Sequence, residues 1–451
     1  MTAAASLPPG PSLPRPITVG RFILQPTRFL EDCQCRYGDL FTVRLSSQRT
    51  VVISSDPELV KQVFTGDPNL LRAGEGNVVL RPLLGPRSVL LLDGPEHLRQ
   101  RRLLLPAFHG ERMRHYRAVM TEVTERHVER WPIGSRFPTH PSMQAITLEV
   151  ILRAVFGVED QRRLERLATP LRRLLDATGS RLRLLLLQAT SSERGLGSPW
   201  GRFRALMEPG DRVIMEQIRA RRSAPERDDV LSLLLAARDE YGQPLTDAEL
   251  RDELMTLLVA GHETTATALS WTLERITRHP EVLARLVEER YEGGDEYLDA
   301  VIKETLRLRP VIPAVVRCLA EPMELGGRTF PAGVNIAPSI YLLHRRADLY
   351  PEPGRFRPER FLERPAGTYE WIPFGGGIRR CLGASFALFE MKVVLSTILA
   401  RAQLAWATGR AERVTRRAVT FTPSRGGRIL VERLRPRRAA TPAPAPTSTS
   451  A

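Results

Sequence analysis

Residues 374–383 read Phe-Gly-Gly-Gly-Ile-Arg-Arg-Cys-Leu-Gly. A glycine-rich loop here delivers Cys381 to the start of an apolar run, 382–401, that reads as a helix. The setting suits a thiolate. Unpaired N–H groups and the positive end of a helix dipole favour ionised sulfur. Gly375 and Gly383 permit a tight loop and close approach of backbone to a flat cofactor, and Arg379 adds a cation. A lone cysteine is more often a buried structural residue. The spacing argues otherwise, since Phe-x-x-Gly-x-Arg-x-Cys-x-Gly arises from such a composition about once in 10⁴ chains.

A second constellation is Ala260-Gly-His-Glu263-Thr264-Thr265. It puts a glycine, an acid and two hydroxyls in an otherwise apolar stretch. A mid-helix threonine bonds back to the i−4 carbonyl and bends the helix, which opens room for a small ligand and water. A kink without chemistry is the plainer alternative. His262 is not a zinc ligand, because His-Glu-Thr-Thr-Ala lacks the second histidine of a zinc helix.

Two charged spacings complete the set. His97 and Arg101 stand at i, i+4, and Glu304 and Arg307 at i, i+3, so each pair shares a helix face. Alone, neither carries weight. Glu96 with Arg99, Glu111 with Arg114 and Glu216 with Arg219 repeat the second spacing by chance. An isolated arginine is most often a solvated surface residue. Position lifts Glu304 and Arg307 above chance. They precede Pro310 and are followed by Phe356-Arg-Pro-Glu-Arg360-Phe361.

These residues need elements to hold them. Thr246-Asp-Ala-Glu249 is a capping box that opens an apolar segment running to Pro280. A helix of that length would cross roughly 48 Å, through the middle of the molecule. Another helix is expected over 295–309. Residues 41–45 and 50–54 read as a hairpin, and Asp56-Pro57 starts a helix. Residues 67–94 read as a long loop, 95–240 as mostly helical with breaks near Gly179 and 195–199, and 315–345 as strand-like runs. The expected organisation is a Pro-rich strap at 1–17, one catalytic domain at 18–434, and a disordered Pro/Ala/Ser/Thr tail at 435–451.

The 451 residues are 42% hydrophobic and 26% charged, which excludes a mainly disordered chain and a fibrous repeat. Four cysteines do not make a disulfide framework. Cys33 and Cys35 lack the further ligands of a metal site. No signal sequence or spanning helix is visible, so a cytoplasmic protein without a membrane anchor is expected. The net charge of +15 is almost all arginine, with lysine only at Lys61, Lys303 and Lys392. The arginines are scattered among glutamates, with no aromatic–basic alternation, so nucleic acid is not an expected partner.

Taken in order, the four motifs resemble those of the cytochrome P-450 family of haem-thiolate monooxygenases, over about residues 20–430. The resemblance implies a mainly α fold with a small β portion. Haem b (iron protoporphyrin IX) would lie between the long central helix and the helix after the cysteine loop. Cys381 would be the axial ligand, with Phe374 packed near the sulfur. His97, Arg101, Arg317 and Arg379 would bind the haem propionates. Thr264 would stabilise the iron-bound oxygen species through its hydroxyl, and Glu263 would support proton delivery. Glu304, Arg307 and Arg360 would form a buried structural network. Ala260, Val311 and Ile312 would line the substrate pocket, with residues 67–94 and 170–215 around it. The implied co-substrate is O2, the substrate a fatty acid, terpene, steroid or polyketide, and the product hydroxylated or epoxidised. Electrons would come from a separate ferredoxin or flavodoxin with its reductase, and the protein would be a monomer. A peroxide-driven haem-thiolate enzyme and a non-catalytic haem binder are the rival readings. The acid–alcohol pair Glu263–Thr264 stands against both.

Overall fold

Thr246 and Glu249 cap each other: the Glu249 N–H donates to Thr246 Oγ1 at 3.2 Å, and the Thr246 N–H donates to Glu249 Oε2 at 2.8 Å. From this start the helix Asp247–Ile276 runs unbroken for 30 residues, about 45 Å. It is buried on most faces because helices His140–Phe156, Glu296–Leu308, Ala384–Arg401 and Pro199–Arg222 all pack along it. Gly261 lets one of them come close, since a Cβ there would stand 2.6 Å from Ile151 Cδ1. The computed structural model describes residues 7–45, 49–108, 112–158, 160–178, 199–223, 227, 229–405 and 409–436.

Two large apolar clusters flank this central helix. One joins it to Arg112–Val128, His140–Phe156 and Ala384–Arg401. The other joins its first half to Gln161–Thr178 and Pro199–Arg222. Two smaller clusters lie on the main sheet. That sheet has five strands in the order Leu40–Arg44, Thr50–Ser54, Asn335–Pro338, Arg317–Leu319, Leu71–Arg72. Only the pairing of Thr50–Ser54 with Asn335–Pro338 is parallel. A three-stranded sheet joins Arg136–Pro138, Arg428–Leu434 and Ala402–Leu404, and the hairpin Val414–Arg417/Thr420–Pro423 packs on the central helix.

Several elements differ from expectation. Residues 67–94 are not one irregular loop. They contain a short strand and the helical turns Ala73–Gly76, Val78–Leu80 and Arg81–Leu84. The first turn is held by a tertiary cap: the Gly74 and Glu75 N–H groups donate to Asp93 at 2.9 and 3.1 Å. Within 315–345, Ser339 caps a helical turn, Ile340–Leu343. A helix, Arg15–Leu24, begins inside the Pro-rich segment, with proline in its first turn. Residues 7–14 precede it, and the Pro9 carbonyl accepts from Thr42 N–H at 2.9 Å. The breaks near Gly179 and 195–198, and the tail from 437 onward, lie outside the described residues.

Candidate active site

The cysteine loop closes on itself. Cys381 N–H donates to the Phe374 carbonyl at 3.0 Å, and Gly375 N–H to the Ile372 carbonyl at 2.9 Å. Trp371 meets the Phe374 ring edge-on at 6.1 Å and anchors its own Nε1 on the Lys303 carbonyl at 3.1 Å. The glycines divide by role. Gly377, at φ 62°, touches the Phe64 backbone, whereas Gly383 faces open space.

Cys381 does not itself open the helix. Ala384–Arg401 starts three residues later, with Gly383 at its N-cap. The thiol pKa is raised rather than lowered, correcting the expectation from the helix end. Burial outweighs the Gly383 N–H bond and the charges of Arg101 and Arg380. Even so, Cys381 is exposed and does not fill core. Ionising this sulfur calls for an electropositive partner at the sulfur itself.

Beside it lies an excess of buried cations. Arg379 reaches back from the loop to Asp93 Oδ1 at 2.5 Å and to the Leu92 and Val89 carbonyls at 2.6 and 3.2 Å. Among the described residues, Arg317 donates only to the Val316 carbonyl, at 2.9 Å. Burial drives the His97 imidazole down to about 3, and Arg379, Arg101 and Arg317 push the same way. Burial also lowers both Arg317 and Arg379 to about 10. His97 Nδ1 and Arg379 Nε are buried without a hydrogen-bond partner among the described residues. Three arginines and a histidine thus converge with Asp93 as the carboxylate among them. That balance suits a dianionic ligand group.

The structure brings Glu304, Arg307 and Arg360 together behind the loop. Arg307 donates to both Glu304 oxygens at 2.7 and 2.8 Å, and Arg360 Nε to Glu304 Oε1 at 3.2 Å. Arg307 also binds the His344, Pro353 and Arg355 carbonyls at 2.8, 2.9 and 3.1 Å. His344 carries the network on to the cysteine loop by accepting from Ile372 N–H at 2.9 Å. Burial, then Arg307 and Arg345, keep that imidazole neutral, at about 3, which leaves Nε2 free to accept.

On the central helix, Thr264 Oγ1 donates to the Ala260 carbonyl at 2.5 Å. Ala260 is exposed although Leu258 and His262 are buried, so the helix borders open space at its middle. Glu263 turns toward the neighbouring helix. It accepts from Gln144 Nε2 at 2.7 Å, with His140 Nε2 at 3.5 Å and Arg417 Nε at 3.4 Å. Burial alone would raise this carboxyl, but the facing His140 imidazole foremost, and then Arg417, hold it below the ordinary carboxylate value. Val311 is buried in the main cluster, and Ile312 is half-buried against the main sheet. The sequence reading missed Asp93, His344, His140, Gln144 and Arg417. Of these only Asp93 carries a local signal, as the residue before Gly94-Pro95, and it points to a helix cap.

The family model for cytochrome P450 matches residues 8–427. This chain belongs to the cytochrome P450 family. A putative cytochrome P450 135B1 of Mycobacterium bovis is 43% identical over 443 residues, covering 96% of this chain and 93% of that one. A putative cytochrome P450 138 of Mycobacterium tuberculosis is 42% identical over 433 residues, 95% and 96% of the two chains. Among solved structures, a retinoic acid-bound cyanobacterial CYP120A1 superposes with a TM-score of 0.82 at 27% identity, covering 95% of this chain and 99% of its own. The P450DA haem domain gives 0.82 at 25% identity, with 96% and 99% covered. As a P450 the protein is a haem monooxygenase using iron protoporphyrin IX and O2. The residues fit that group: Cys381 is an exposed sulfur donor, and the arginines around His97 form a positive cluster matched to two carboxylates. Among the described residues no single helix is long and apolar enough to cross a membrane.

Proposed function

We propose that this P450 oxygenates a lipophilic small molecule (a fatty acid, terpene, steroid or polyketide) with Cys381 as the haem-iron ligand. The carrying observation is the accessible Cys381 thiol beside Arg101, at the edge of the buried cation cluster. His97, Arg101, Arg317 and Arg379 would hold the haem carboxylates, and Phe374 would shield the sulfur. Gly375 and Gly383 would leave room for the cofactor beside the loop. Glu304, Arg307 and Arg360 fix the loop through His344.

When bound, the thiolate-ligated haem supplies O2 activation and O–O cleavage. The balance is RH + O2 + 2e⁻ + 2H⁺ → ROH + H2O. This chain's residues exclude bulk water, orient the substrate and deliver the protons. Thr264 presents its hydroxyl where the central helix borders open space, and Glu263 passes protons toward it. Ala260, Val311 and Ile312 offer the substrate an apolar surface. The retinoic acid in the cyanobacterial neighbour, an apolar carboxylic acid, supports the lipophilic class. The electrons come from a separate ferredoxin or flavodoxin with its reductase, in the cytoplasm.

The test is an optical spectrum of the dithionite-reduced protein under carbon monoxide, then titration of the ferric form with a lipophilic panel. The expected result is the red-shifted Soret band of a thiolate–carbonyl haem, lost in Cys381→Ala, and low-to-high-spin shifts with some of the panel. A histidine-type band, or a thiolate band that survives Cys381→Ala, overturns the ligand assignment. A panel without any spin shift counts against the substrate class.

A further inference from the structure

Glu263 sits at the back of the reaction site but is held from the opposite side of the helix. Its three partners are His140 and Gln144, one turn apart on the helix His140–Phe156, and Arg417 on the hairpin Val414–Arg417/Thr420–Pro423. These same three residues line a surface pocket of about 360 Å³, together with Arg416, Ser424 and Arg425. The pocket therefore meets solvent on one side and the ligands of the Glu263 carboxylate on the other. Among the described residues, buried Glu263 Oε1 has no hydrogen-bond partner. It faces His140 Nε2 at 3.5 Å, just beyond hydrogen-bond reach. A small approach of the two atoms makes the bond, so they suit a link made and broken in turn.

We infer that this pocket is the proton inlet of the enzyme and that His140 relays protons from it to Glu263. The inference deepens the proposed oxygenation and rests on Glu263 feeding protons to Thr264. Each passage moves one proton and no electrons. The His140 imidazole takes a proton from pocket water, and its Nε2–H passes a proton to Glu263 Oε1. The carboxyl releases that proton to water on the Thr264 side, and the Nδ1–H imidazole left behind exchanges with pocket water back to its Nε2–H tautomer, which restores both groups to their starting states. Two passages supply the two protons of one turnover.

The surroundings match this task. His140 Nε2 also lies 3.2 Å from Thr267 Oγ1, which orients the ring. The backbone N–H of His140 is pinned to the Gly426 carbonyl at 3.0 Å. The charged and titratable groups facing the pair come from each packed element: His262 on the central helix, and Arg416, Arg417 and Arg425 on the hairpin side. His262 is buried, driven down to about 4 by burial foremost, and lies 2.9 Å from Thr147 Oγ1 by its Nδ1. That leaves His140 as the histidine which both contacts Glu263 and borders the pocket. Gln144 steers Glu263 Oε2 without titrating, and Arg417 keeps the carboxyl ionised between passages.

The test uses the haem-loaded protein and its His140→Gln variant. Product and hydrogen peroxide are measured per electron pair, in H2O and in D2O. Without the relay, coupled product formation is expected to fall about tenfold, with peroxide released in its place and a solvent isotope effect about twofold above wild type. The reduced carbon monoxide band and the substrate spin shift remain, which separates this result from a failure of the proposed function. A second readout needs no turnover. The Glu263 carboxylate stretch, identified by its loss in Glu263→Gln, is titrated by isotope-edited infrared spectroscopy. Its midpoint is expected to rise in His140→Gln, because the imidazole that holds the carboxyl down has gone. Unchanged coupling and isotope effect in a variant that keeps the band and spin shift overturn the relay, whatever the infrared midpoint does. Should His140→Gln not accumulate, His140→Asn takes its place with the same expectations.

Discussion

Gly377 lies directly against Phe64: a Cβ on the glycine would stand 2.0 Å from the Phe64 carbonyl oxygen. Backbone cannot yield as a flexible side chain can, and the φ of 62° is also unfavourable for any other residue. The glycine thus serves the seating of the cysteine loop on the helix Pro57–Thr65. Gly377→Ala is expected to destabilise the protein by about 3 kcal/mol or more. Gly383→Ala, which meets nothing within 4 Å, is expected to fold with wild-type stability in the apoprotein. Guanidinium unfolding of the two variants checks the contrast, and equal losses would refute this division of roles.

Glu304 is a carboxylate bonded by both Arg307 and Arg360, and neither it nor Arg307 has any solvent exposure. Removing one member of such a group leaves buried charge without compensation. Glu304→Gln keeps the shape and removes the charge, so a loss of about 3–5 kcal/mol is expected. Because His344 links Arg307 to Ile372, the loss should extend to the cysteine loop. Haem retention after gel filtration, read alongside the unfolding midpoint, tests that link. A variant with full haem content and an unmoved midpoint would contradict it.

The legible parts of this molecule were those written in short sequence spans. The capping box, the Asp56-Pro57 start and the Cys381 loop each place their chemistry within a few residues, and Glu304 meets Arg307 as neighbours on one helix turn. Parts built by distant residues carried no such signal. Asp93 caps a turn 19 residues upstream while pairing with Arg379, 286 residues downstream. His140 and Gln144 reach Glu263 from more than a hundred residues away. The Cys381 thiol went astray for a related reason. The helix end was visible in sequence, but the desolvation that outweighs it comes from the tertiary surround.

Arg380 precedes the sulfur-bearing residue and is exposed, whereas the adjacent Arg379 is turned inward to Asp93. An acidic electron donor approaching the cysteine side would meet Arg380 first. Arg380→Glu is expected to slow reduction by the partner about tenfold at low salt, an effect that fades as ionic strength rises. Stopped-flow reduction across a salt series measures this. Identical rates and identical salt dependence would remove Arg380 from the docking surface.

Glu390, on the helix Ala384–Arg401, is buried, and its Oε1 has no hydrogen-bond partner among the described residues. Burial pushes its carboxyl up from 4.5 to about 8. Between those values the folded chain keeps a proton that the unfolded chain has released, so the unfolded state binds fewer protons and stability falls as pH rises. The contribution is fully present below 4.5 and is lost as pH climbs through about 8. Glu390→Gln removes this titration while keeping a neutral group of similar size. It is expected to leave stability near wild type at pH 5 and to raise it at pH 9, where the wild-type fold must hold a carboxylate in its core. Buried His97, driven down to about 3, acts in the opposite sense, because its unfolded form takes up a proton as pH falls below 6.5. The variant should therefore flatten the alkaline side of the stability profile and leave the acid side unchanged. Denaturant midpoints at pH 4, 5, 7 and 9 separate the two limbs, and an alkaline limb as steep as wild type would place the titrating group elsewhere.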